Sequence, residues 1–188
     1  TKTQFMQRCF AQSQRLTALL HDISTLNRMD DAPQETEFSE VDITQMVATI
    51  KSETALQLAE KDMAFNNLLP KDLAVKGNQS LLYSVFRNLV DNAIAYAGVG
   101  TTIILSAQKE GPMWHFIFKD NGVGVPREHL PRLFERFYRV DKGRSRKMGG
   151  TGLGLAIVKN AVLLHGGRIS VDNQLSGGLI FDFTLPAC

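Results

Sequence analysis

Apolar side chains recur at alternating spacings of four and three along the start of the chain, which predicts one long amphipathic helix. The seam consists of Phe5, Cys9, Gln12, Leu16, Leu19, Ile23 and Leu26. Such a heptad pattern is typical of a coiled coil or a slender bundle. We therefore expect a partner helix, either from a second copy or from a segment outside this chain. The alternative is a helix that folds back onto the following residues, because amphipathicity alone does not identify what covers the seam.

The chain after residue 41 alternates between helix and strand patterns, which predicts a mixed α/β domain. Asp42 and Gln45 form a capping box that opens a helix, with Ile43, Val47, Ile50, Thr54 and Leu58 along one face. Further helices are predicted from about residue 79 to 97 and from about residue 152 to 165. The strand candidates are residues 63–68, 73–77, 101–107, 114–120, 168–173 and 179–185.

Composition narrows the class of protein further. The 188 residues are 44% hydrophobic and 21% charged, which suits one compact domain, or one domain with a helical appendage. A net charge of +2 does not indicate a broad nucleic-acid surface. Cys9 and Cys188 lie at opposite ends, which excludes a disulfide framework and a zinc finger. Since neither a membrane span nor a signal peptide is recognisable, we expect a soluble, cytosolic piece of a longer chain.

Asn88, Asn92 and Tyr96 stand four residues apart and so form a stripe on the helix that covers residues 79–97. Asparagine inside a helix costs roughly 0.5–0.7 kcal/mol relative to alanine. Two asparagines beside an apolar arc therefore indicate hydrogen-bond partners or a ligand. A carboxamide oxygen suits Mg²⁺, and a tyrosine ring can stack on a base. The alternative is a pair of solvated asparagines on a surface helix.

Asp120 ends a strand and shares one face with Trp114, Phe116 and Phe118. A carboxylate among aromatic side chains requires a partner, and the turn at residues 121–124 contains two glycines that allow a ligand to approach the backbone. An acceptor in an apolar slot is suited to an exocyclic amino group such as that of adenine. The alternative is an Asx turn, which Asp-Asn-Gly favours in any protein.

Glycines at residues 149–154 lead directly into a helix, so that free amides and the positive helix end are expected to converge on an anion site for phosphates. The spacing fits neither a P-loop nor a dinucleotide-binding loop. Before these glycines, an aromatic segment at residues 133–141 and a basic segment at residues 142–148 resemble a lid over an anionic ligand. The alternatives are a flexible loop that caps a helix and a solvated basic loop.

Taken in order, four motifs resemble those of the catalytic ATP-binding domain of sensor histidine kinases, within the superfamily of Hsp90, MutL and DNA gyrase B. Residues 88–94 resemble the N box, residues 120–124 the first glycine box, residues 134–139 the F box and residues 150–155 the second glycine box. The resemblance implies an α/β fold of the α+β two-layer type. A mixed sheet is covered on one face by helices and is preceded by a long N-terminal helix.

The resemblance also implies ATP and Mg²⁺ as cofactors. Asn92 would ligate Mg²⁺ with support from Asn88, Tyr96 would lie against adenine, Asp120 would accept from its amino group, and Arg139 would reach the terminal phosphate. The implied ATP-binding set is Asn88, Asn92, Tyr96, Asp120, Gly122, Gly124, Arg139, Gly150, Thr151, Gly152, Leu153 and Gly154. Asn92 and Arg139 are the catalytic candidates of this set.

Two departures from the family pattern affect the expected chemistry. Ala95 stands where the family often has lysine before the N-box tyrosine, so a phosphate contact is missing or is replaced by Lys142, Arg144, Arg146 or Lys147. His21-Asp22 resembles a phosphoacceptor box, but its proline is absent and only 67 residues separate His21 from Asn88. We therefore expect no phosphoacceptor in this chain and place it upstream of Thr1.

The resemblance implies three segments: residues 1–30 as part of the second helix of a dimerisation hairpin, residues 31–41 as a linker, and residues 42–188 as the catalytic domain. The implied activity is transfer of the γ-phosphate of Mg-ATP to the upstream histidine and relay to an aspartate of a response regulator. The intact parent would be a homodimer anchored in the bacterial inner membrane, with this domain in the cytoplasm and no nucleic-acid partner. The alternatives are a degenerate nucleotide-sensing module and an ATPase or serine kinase of the same superfamily.

Overall fold

The computed structural model describes residues 2–31, 36–140 and 150–188. The helices are α1 (Lys2–Asp31), α2 (Ile43–Glu53), α3 (Ala55–Glu60), α4 (Gln79–Tyr96) and α5 (Gly154–Leu164), with a 3₁₀ helix at Arg127–Arg132. The strands are β1 (Ser39–Asp42), β2 (Ala64–Leu68), β3 (Ala74–Gly77), β4 (Thr102–Glu110), β5 (Met113–Asp120), β6 (Ile169–Asn173) and β7 (Leu179–Pro186).

A five-stranded mixed sheet in the order β2-β4-β5-β7-β6 forms the centre of the domain. The β2–β4 pair is parallel and the other pairs are antiparallel. Phe116 on β5 is in register with Phe183 on β7, and their rings stack at 5.1 Å. Phe86 of α4 lies within 5.6 Å and 5.9 Å of these two rings. The helices thus cover one face of the sheet, and the expected two-layer architecture is confirmed.

Side chains at the helix starts explain where α2 and α4 begin. Asp42 Oδ1 accepts a hydrogen bond from the Gln45 amide at 2.8 Å, as the capping box predicts. Asn78 Oδ1 accepts in the same way from the Leu81 amide at 3.0 Å. The cap at Asn78 sets the first turn of α4, the helix that carries the asparagine stripe.

The predicted single helix that follows Asp42 is broken at Thr54. This residue is buried, and its hydroxyl donates to the Ile50 carbonyl at 2.8 Å. A threonine that bonds back to the previous turn bends a helix, and Thr54 separates α2 from α3. The predicted apolar face is nevertheless correct, because all five of its members are buried.

Strand pairing departs from sequence order at the first two predicted strands. Residues 64–68 and 74–77 are strands, but β2 joins β4 in parallel whereas β3 pairs with β1 in a separate two-stranded sheet. Strand β1 was not predicted, because three of its four residues are polar and leave no apolar alternation. Residues 39–41, expected in the linker, therefore belong to this small sheet. The 3₁₀ helix at Arg127–Arg132, which contains Pro131, was also missed.

The seam of α1 has two different environments. Leu26 and Met29 are buried, and Leu19 and Ile23 pack against the core. Phe5, by contrast, is 67% exposed. The fold-back alternative therefore holds for the C-terminal half of the helix, while a partner for the N-terminal half stays a prediction.

Candidate functional site

Two cavities lie between α4, the glycine-rich loop and the F-box segment. We call the first, of about 200 Å³, the tyrosine cavity; its lining includes Tyr96, Tyr138, Arg139, Gly124 and Leu179. We call the second, of about 260 Å³, the asparagine cavity; its lining comprises Asn88, Asp91, Asn92, Ala95, Tyr96, Gly150, Thr151, Gly152, Gly154 and Leu155. Asn92, Tyr96, Gly152 and Leu155 line both cavities. The two spaces therefore adjoin along the stripe of α4.

The structure brings together nine of the twelve residues predicted to bind ATP. Asn88, Asn92, Tyr96, Gly124, Arg139, Gly150, Thr151, Gly152 and Gly154 line one or both cavities. Asp120, Gly122 and Leu153 line neither. Leu153 is fully buried, so its side chain belongs to the core. The basic residues Lys142, Arg144, Arg146 and Lys147, predicted as substitutes for a lysine at position 95, lie outside the described residues.

Asn88 has a structural contact as well as a position in the cavity. Its side-chain amide donates to the Ser84 carbonyl at 2.8 Å, which provides the partner that a helix-interior asparagine requires. A Cβ added at Gly154 would lie 2.6 Å from Asn88 Oδ1. Glycine at this position therefore allows the start of α5 to approach α4 closely. The glycine loop and the asparagine stripe therefore lie against each other at this point.

Asp120 is buried at the end of β5, and its Oδ1 accepts from the Gly122 amide at 2.9 Å. Burial raises the pKa of the Asp120 carboxyl, and hydrogen bonds from the Gly122 and Leu179 amides oppose this effect. The Asx turn, which was the alternative interpretation of Asp120, is therefore present. Asp120 lies next to the cavity wall rather than in it, since Leu179 lines the tyrosine cavity. Its role toward adenine stays a prediction.

The two glycines of the first glycine box make close contacts within the chain. A Cβ at Gly122 would lie 2.3 Å from the Ala97 carbonyl oxygen, so the turn packs on the end of α4. Gly124 has a φ of +66°, and a Cβ there would meet Asn173 Oδ1 at 2.6 Å. Asn173 clamps the following residue, because its side chain accepts from the Val125 amide at 3.0 Å and donates to the Val125 carbonyl at 2.7 Å. Sequence analysis missed Asn173, which is distant in sequence from the turn that it clamps.

The F-box segment is tied to the second glycine box. The Phe137 amide donates to the Gly152 carbonyl at 2.8 Å, and both residues have positive φ, +63° and +77°. Arg139 lies close by, with its Nε 3.4 Å from the position of a Cβ added at Gly152. A side chain at position 152 would meet the Phe137 backbone first, since the added Cβ would lie 3.1 Å from its Cα. The proximity of Arg139 to Gly152 places the only cation that lines either cavity, among the described residues, beside the glycine loop.

Tyr138 is a second residue that sequence analysis missed. Its hydroxyl lies 2.5 Å from His129 Nδ1, and the Arg132 guanidinium stacks on its ring at 4.2 Å. Glu135 in turn holds Arg132 through three hydrogen bonds of 3.0–3.1 Å. These contacts fix the ring as a wall of the tyrosine cavity. The aromatic F box was a signal for such a wall, but the 3₁₀ helix that supplies its partners was not predicted.

Helix α1 contacts both glycine-loop and F-box residues. The Thr151 hydroxyl donates to Asp22 Oδ2 at 2.7 Å and accepts from the Leu153 amide at 3.2 Å. Arg136 donates to Asp30 Oδ2 at 2.6 Å. His21 remains 74% exposed and lies 4.0 Å from the Asp22 carboxylate. It is therefore Asp22, rather than the neighbouring histidine, that connects α1 to the candidate site.

A charged network borders the asparagine cavity on the side of α2. Arg87 Nε donates to both carboxylate oxygens of Asp91 at 3.0 Å, and its Nη1 donates to Glu53 Oε2 at 3.1 Å. Burial raises the pKa of the Asp91 carboxyl, and the Arg87 guanidinium partly offsets this increase. Within the described ranges, there is no cluster of three or more His, Cys, Asp or Glu side chains suited to a metal ion. A metal here would need most of its ligands from elsewhere.

A protein-family model described as "Histidine kinase-, DNA gyrase B-, and HSP90-like ATPase" matches residues 77–188, which include all four motifs. The chain belongs to this family. Its ATP-binding catalytic domain is of the sensor histidine kinase type, and the predicted fold and family are thereby confirmed.

Relatives support the same assignment. The sensor-like histidine kinase SenX3 of Mycolicibacterium smegmatis is 34% identical over 186 residues, which are 99% of this chain and 48% of SenX3. The solved structure of the mycobacterial sensor histidine kinase MprB has 28% identity and a TM-score of 0.69, covering 80% of this chain and 98% of that one. The complex of histidine kinase ThkA with the response regulator protein TrrA, at 20% identity and a TM-score of 0.77, covers all of this chain and 52% of that one and shows the shared fold alone.

The chain spans about half the length of SenX3. Among the helices that the structure describes, none combines the length and the apolar character that a bilayer crossing requires.

Proposed function

We propose that this histidine kinase domain binds Mg-ATP across the two cavities and transfers its γ-phosphate to a histidine upstream of Thr1. The observation that carries the proposal is the convergence of Asn92, Tyr96 and Gly152, which line both spaces, with Arg139 at their edge. The aromatic side chains make the tyrosine cavity suitable for the base. The backbone amides of the loop glycines make the asparagine cavity suitable for the phosphates, and the asparagine side-chain oxygens make it suitable for the Mg²⁺ that accompanies them.

The residues present fit Mg²⁺ that arrives with a nucleotide. Asn92 lines both cavities and carries a carboxamide oxygen, a hard metal ligand. Asn88 and Asp91 also line the asparagine cavity. Mg²⁺ in proteins is held by few side chains together with water and substrate phosphates. This agrees with the lack of a larger ligand cluster among the residues that the structure describes. When bound, the metal would neutralise charge on the phosphates.

Among the residues that the structure describes, Arg139 and the loop amides would provide the remaining charge compensation. Arg139 lies beside Gly152, and its Nη2 is 4.0 Å from the position of a Cβ at Gly150. Ala95 lines the asparagine cavity without a charge. Phosphoryl transfer depends on positioning and on neutralising the oxygens of the transferred group. Arg139 and Asn92 are therefore the proposed catalytic residues, and Asp120 is the proposed acceptor for the adenine amino group.

The partners of the parent protein follow from its kinship with sensor histidine kinases. We infer that the phosphohistidine passes its phosphoryl group to an aspartate of a response regulator, the class of protein with which ThkA forms its solved complex. The exposed N-terminal half of α1, with Phe5, Phe10 and Leu16, would pair in a homodimer of the parent. We also infer that the parent is anchored in the inner membrane of a bacterium and that this domain lies in the cytoplasm.

Calorimetric titration with ADP, with and without Mg²⁺, tests the binding proposal. Wild-type chain should bind Mg-ADP, and Asn92→Ala should lose the dependence of the ADP affinity on Mg²⁺ because it removes the proposed ligand. Asp72→Asn, in an exposed turn that lines neither cavity, is a surface control. Absence of Mg-ADP binding by folded wild-type chain would refute the proposal. An unchanged Mg²⁺ dependence in Asn92→Ala would remove Asn92 from the ligand role.

Transfer is tested on the parent with radiolabelled ATP. Incorporation of label at a histidine upstream of Thr1, retained in a His21→Gln variant, is the expected result. Label that disappears with His21→Gln would contradict the placement of the acceptor. A parent that binds Mg-ADP but never takes up label would instead be a nucleotide sensor.

A further inference from the structure

The proposed roles leave one charged residue of the asparagine cavity without a function. Asp91 lines this cavity between Asn88 and Asn92, and its side chain remains 45% exposed. The Arg87 guanidinium holds the carboxylate through two bonds of 3.0 Å from its Nε. The Asp91 carboxylate is thus both held in one orientation by a salt bridge and accessible from the cavity. These two properties indicate that it is positioned to contact a ligand in the cavity.

The charge balance of the network formed by Asp91, Arg87 and Glu53 indicates what Asp91 would contact. Arg87 also donates to Glu53 Oε2 at 3.1 Å, so that two carboxylates share one guanidinium. The cluster therefore carries a net negative charge beside the space proposed for phosphates. A carboxylate there repels phosphate oxygens unless a cation lies between them. No cationic side chain lines this cavity among the described residues, and a divalent cation bound with the nucleotide would supply compensating charge next to Asp91.

We propose that Asp91 is a positioning residue for magnesium, one that accepts hydrogen bonds from the water molecules that the ion retains. Mg²⁺ gives up its waters reluctantly and usually keeps several of them in protein sites. Groups that orient such waters strengthen metal binding without being ligands themselves. This inference rests on the proposed binding of Mg-ATP and adds to it a side chain for which the family resemblance implies no role.

The competing explanation is that Asp91 only stabilises α4 as the partner of Arg87 four residues earlier. Exposed ion pairs at this spacing contribute little to stability. The two explanations differ in what they predict for the metal. A helix-stabilising pair affects ADP binding equally with and without Mg²⁺, whereas a residue that holds metal-bound water affects only the magnesium-dependent part.

The experiment compares ADP affinity in excess Mg²⁺ with ADP affinity in EDTA, by calorimetry on the whole chain. In Asp91→Asn the ratio of the two affinities should fall about 10-fold, the lower end of what loss of such supporting groups costs in metal binding. Asp91→Glu keeps a carboxylate and should retain most of the ratio. Arg87→Gln keeps Asp91 itself, so its affinity ratio should fall less than that of Asp91→Asn. Asp72→Asn makes the same chemical change in an exposed turn and should behave as wild type.

The outcomes separate this inference from the proposed function. Wild-type chain that shows no Mg²⁺ dependence overturns both. An affinity ratio equal to that of wild type in Asp91→Asn overturns only the role of Asp91. An equal fall of the ratio in Asp91→Asn and Arg87→Gln also overturns this role, because the salt bridge and not the carboxylate would then account for the effect. If Asp91→Asn does not fold, as judged by its thermal transition, Asp91→Ser also removes the carboxylate and replaces it in the comparison.

Discussion

His165 joins the two helices that carry the candidate site, and we predict that it makes the stability of the domain sensitive to mild acid. The residue follows α5 and is only 4% exposed. Its Nε2 accepts from the Asn78 amide at 3.0 Å, directly before α4, and its Nδ1 donates to the Ala161 carbonyl at 2.7 Å. The ring also stacks on Phe38 at 4.7 Å. Since one nitrogen must accept and the other must donate, only the neutral ring satisfies both contacts.

The direction of the effect follows from the pKa of His165, which burial lowers below its ordinary value. The unfolded chain therefore binds the proton at a higher pH than the folded chain does. Stability is complete above the unfolded pKa of about 6.5 and falls as the pH drops below it. One proton gives a slope of up to about 1.4 kcal/mol per pH unit, until the folded pKa is passed.

Urea unfolding of wild type and His165→Gln, between about pH 7.5 and 5.5, measures this slope on both sides of the ordinary histidine pKa. Glutamine can place an oxygen near the position of Nε2 and does not titrate. We expect the variant to be less stable by about 1–2 kcal/mol at the higher pH, because packing on Phe38 is lost. The difference should then narrow as the pH falls.

His115 changes the stability of the fold with pH in the opposite direction, but it does not affect the comparison of wild type with His165→Gln. The hydrogen bond to Asp182 and, to a lesser extent, the one to Glu110 raise the pKa of His115. The stability that it contributes is complete below its unfolded pKa and is lost as the pH rises through the folded value. Wild type and variant both retain His115, so its contribution cancels. Parallel pH profiles of the two proteins would refute the reasoning for His165.

Two further predictions concern the site itself. Asp120→Asn should weaken the preference for ATP over GTP in competition titrations, because the proposed acceptor for the adenine amino group becomes partly a donor; equal loss for both nucleotides would show a purely structural role. Gly154→Ala should lower ADP affinity about 10-fold and cost about 1–3 kcal/mol in urea unfolding, because the new Cβ would lie 2.6 Å from Asn88 Oδ1. Gly154 does not have a positive φ, so backbone strain adds nothing to this cost, and a variant with wild-type affinity and stability would contradict the steric argument.

The sequence predicted the parts of the site that depend on short-range geometry. Residues four apart on a helix share a face whatever surrounds them, so the alignment of Asn88, Asn92 and Tyr96 was readable before any tertiary contact was known. The two-residue repeat of a strand likewise placed Asp120 on the buried face with Phe116 and Phe118. The fold class followed from the resemblance of four ordered motifs to a known family.

Features that depend on long-range packing could not be predicted from such patterns. Strand β2 pairs with β4, which follows α4 in the chain, and not with β3, which is nearer in sequence. Asn173 clamps Val125 across 48 residues, and Asp22 reaches Thr151 across 129 residues. No local periodicity carries information about contacts of this kind.

The sequence by itself thus determined which side chains of α4 and β5 face inward, since backbone geometry repeats with a period of a few residues. Only the tertiary structure decided which of them meet. It seated the last turns of α1 on the domain, brought Tyr138 into the wall of a cavity, and left the Asp91 carboxylate open beside Asn92. The physical reason is that each of these contacts joins separate elements, and their relative placement is set by the packing of the whole core.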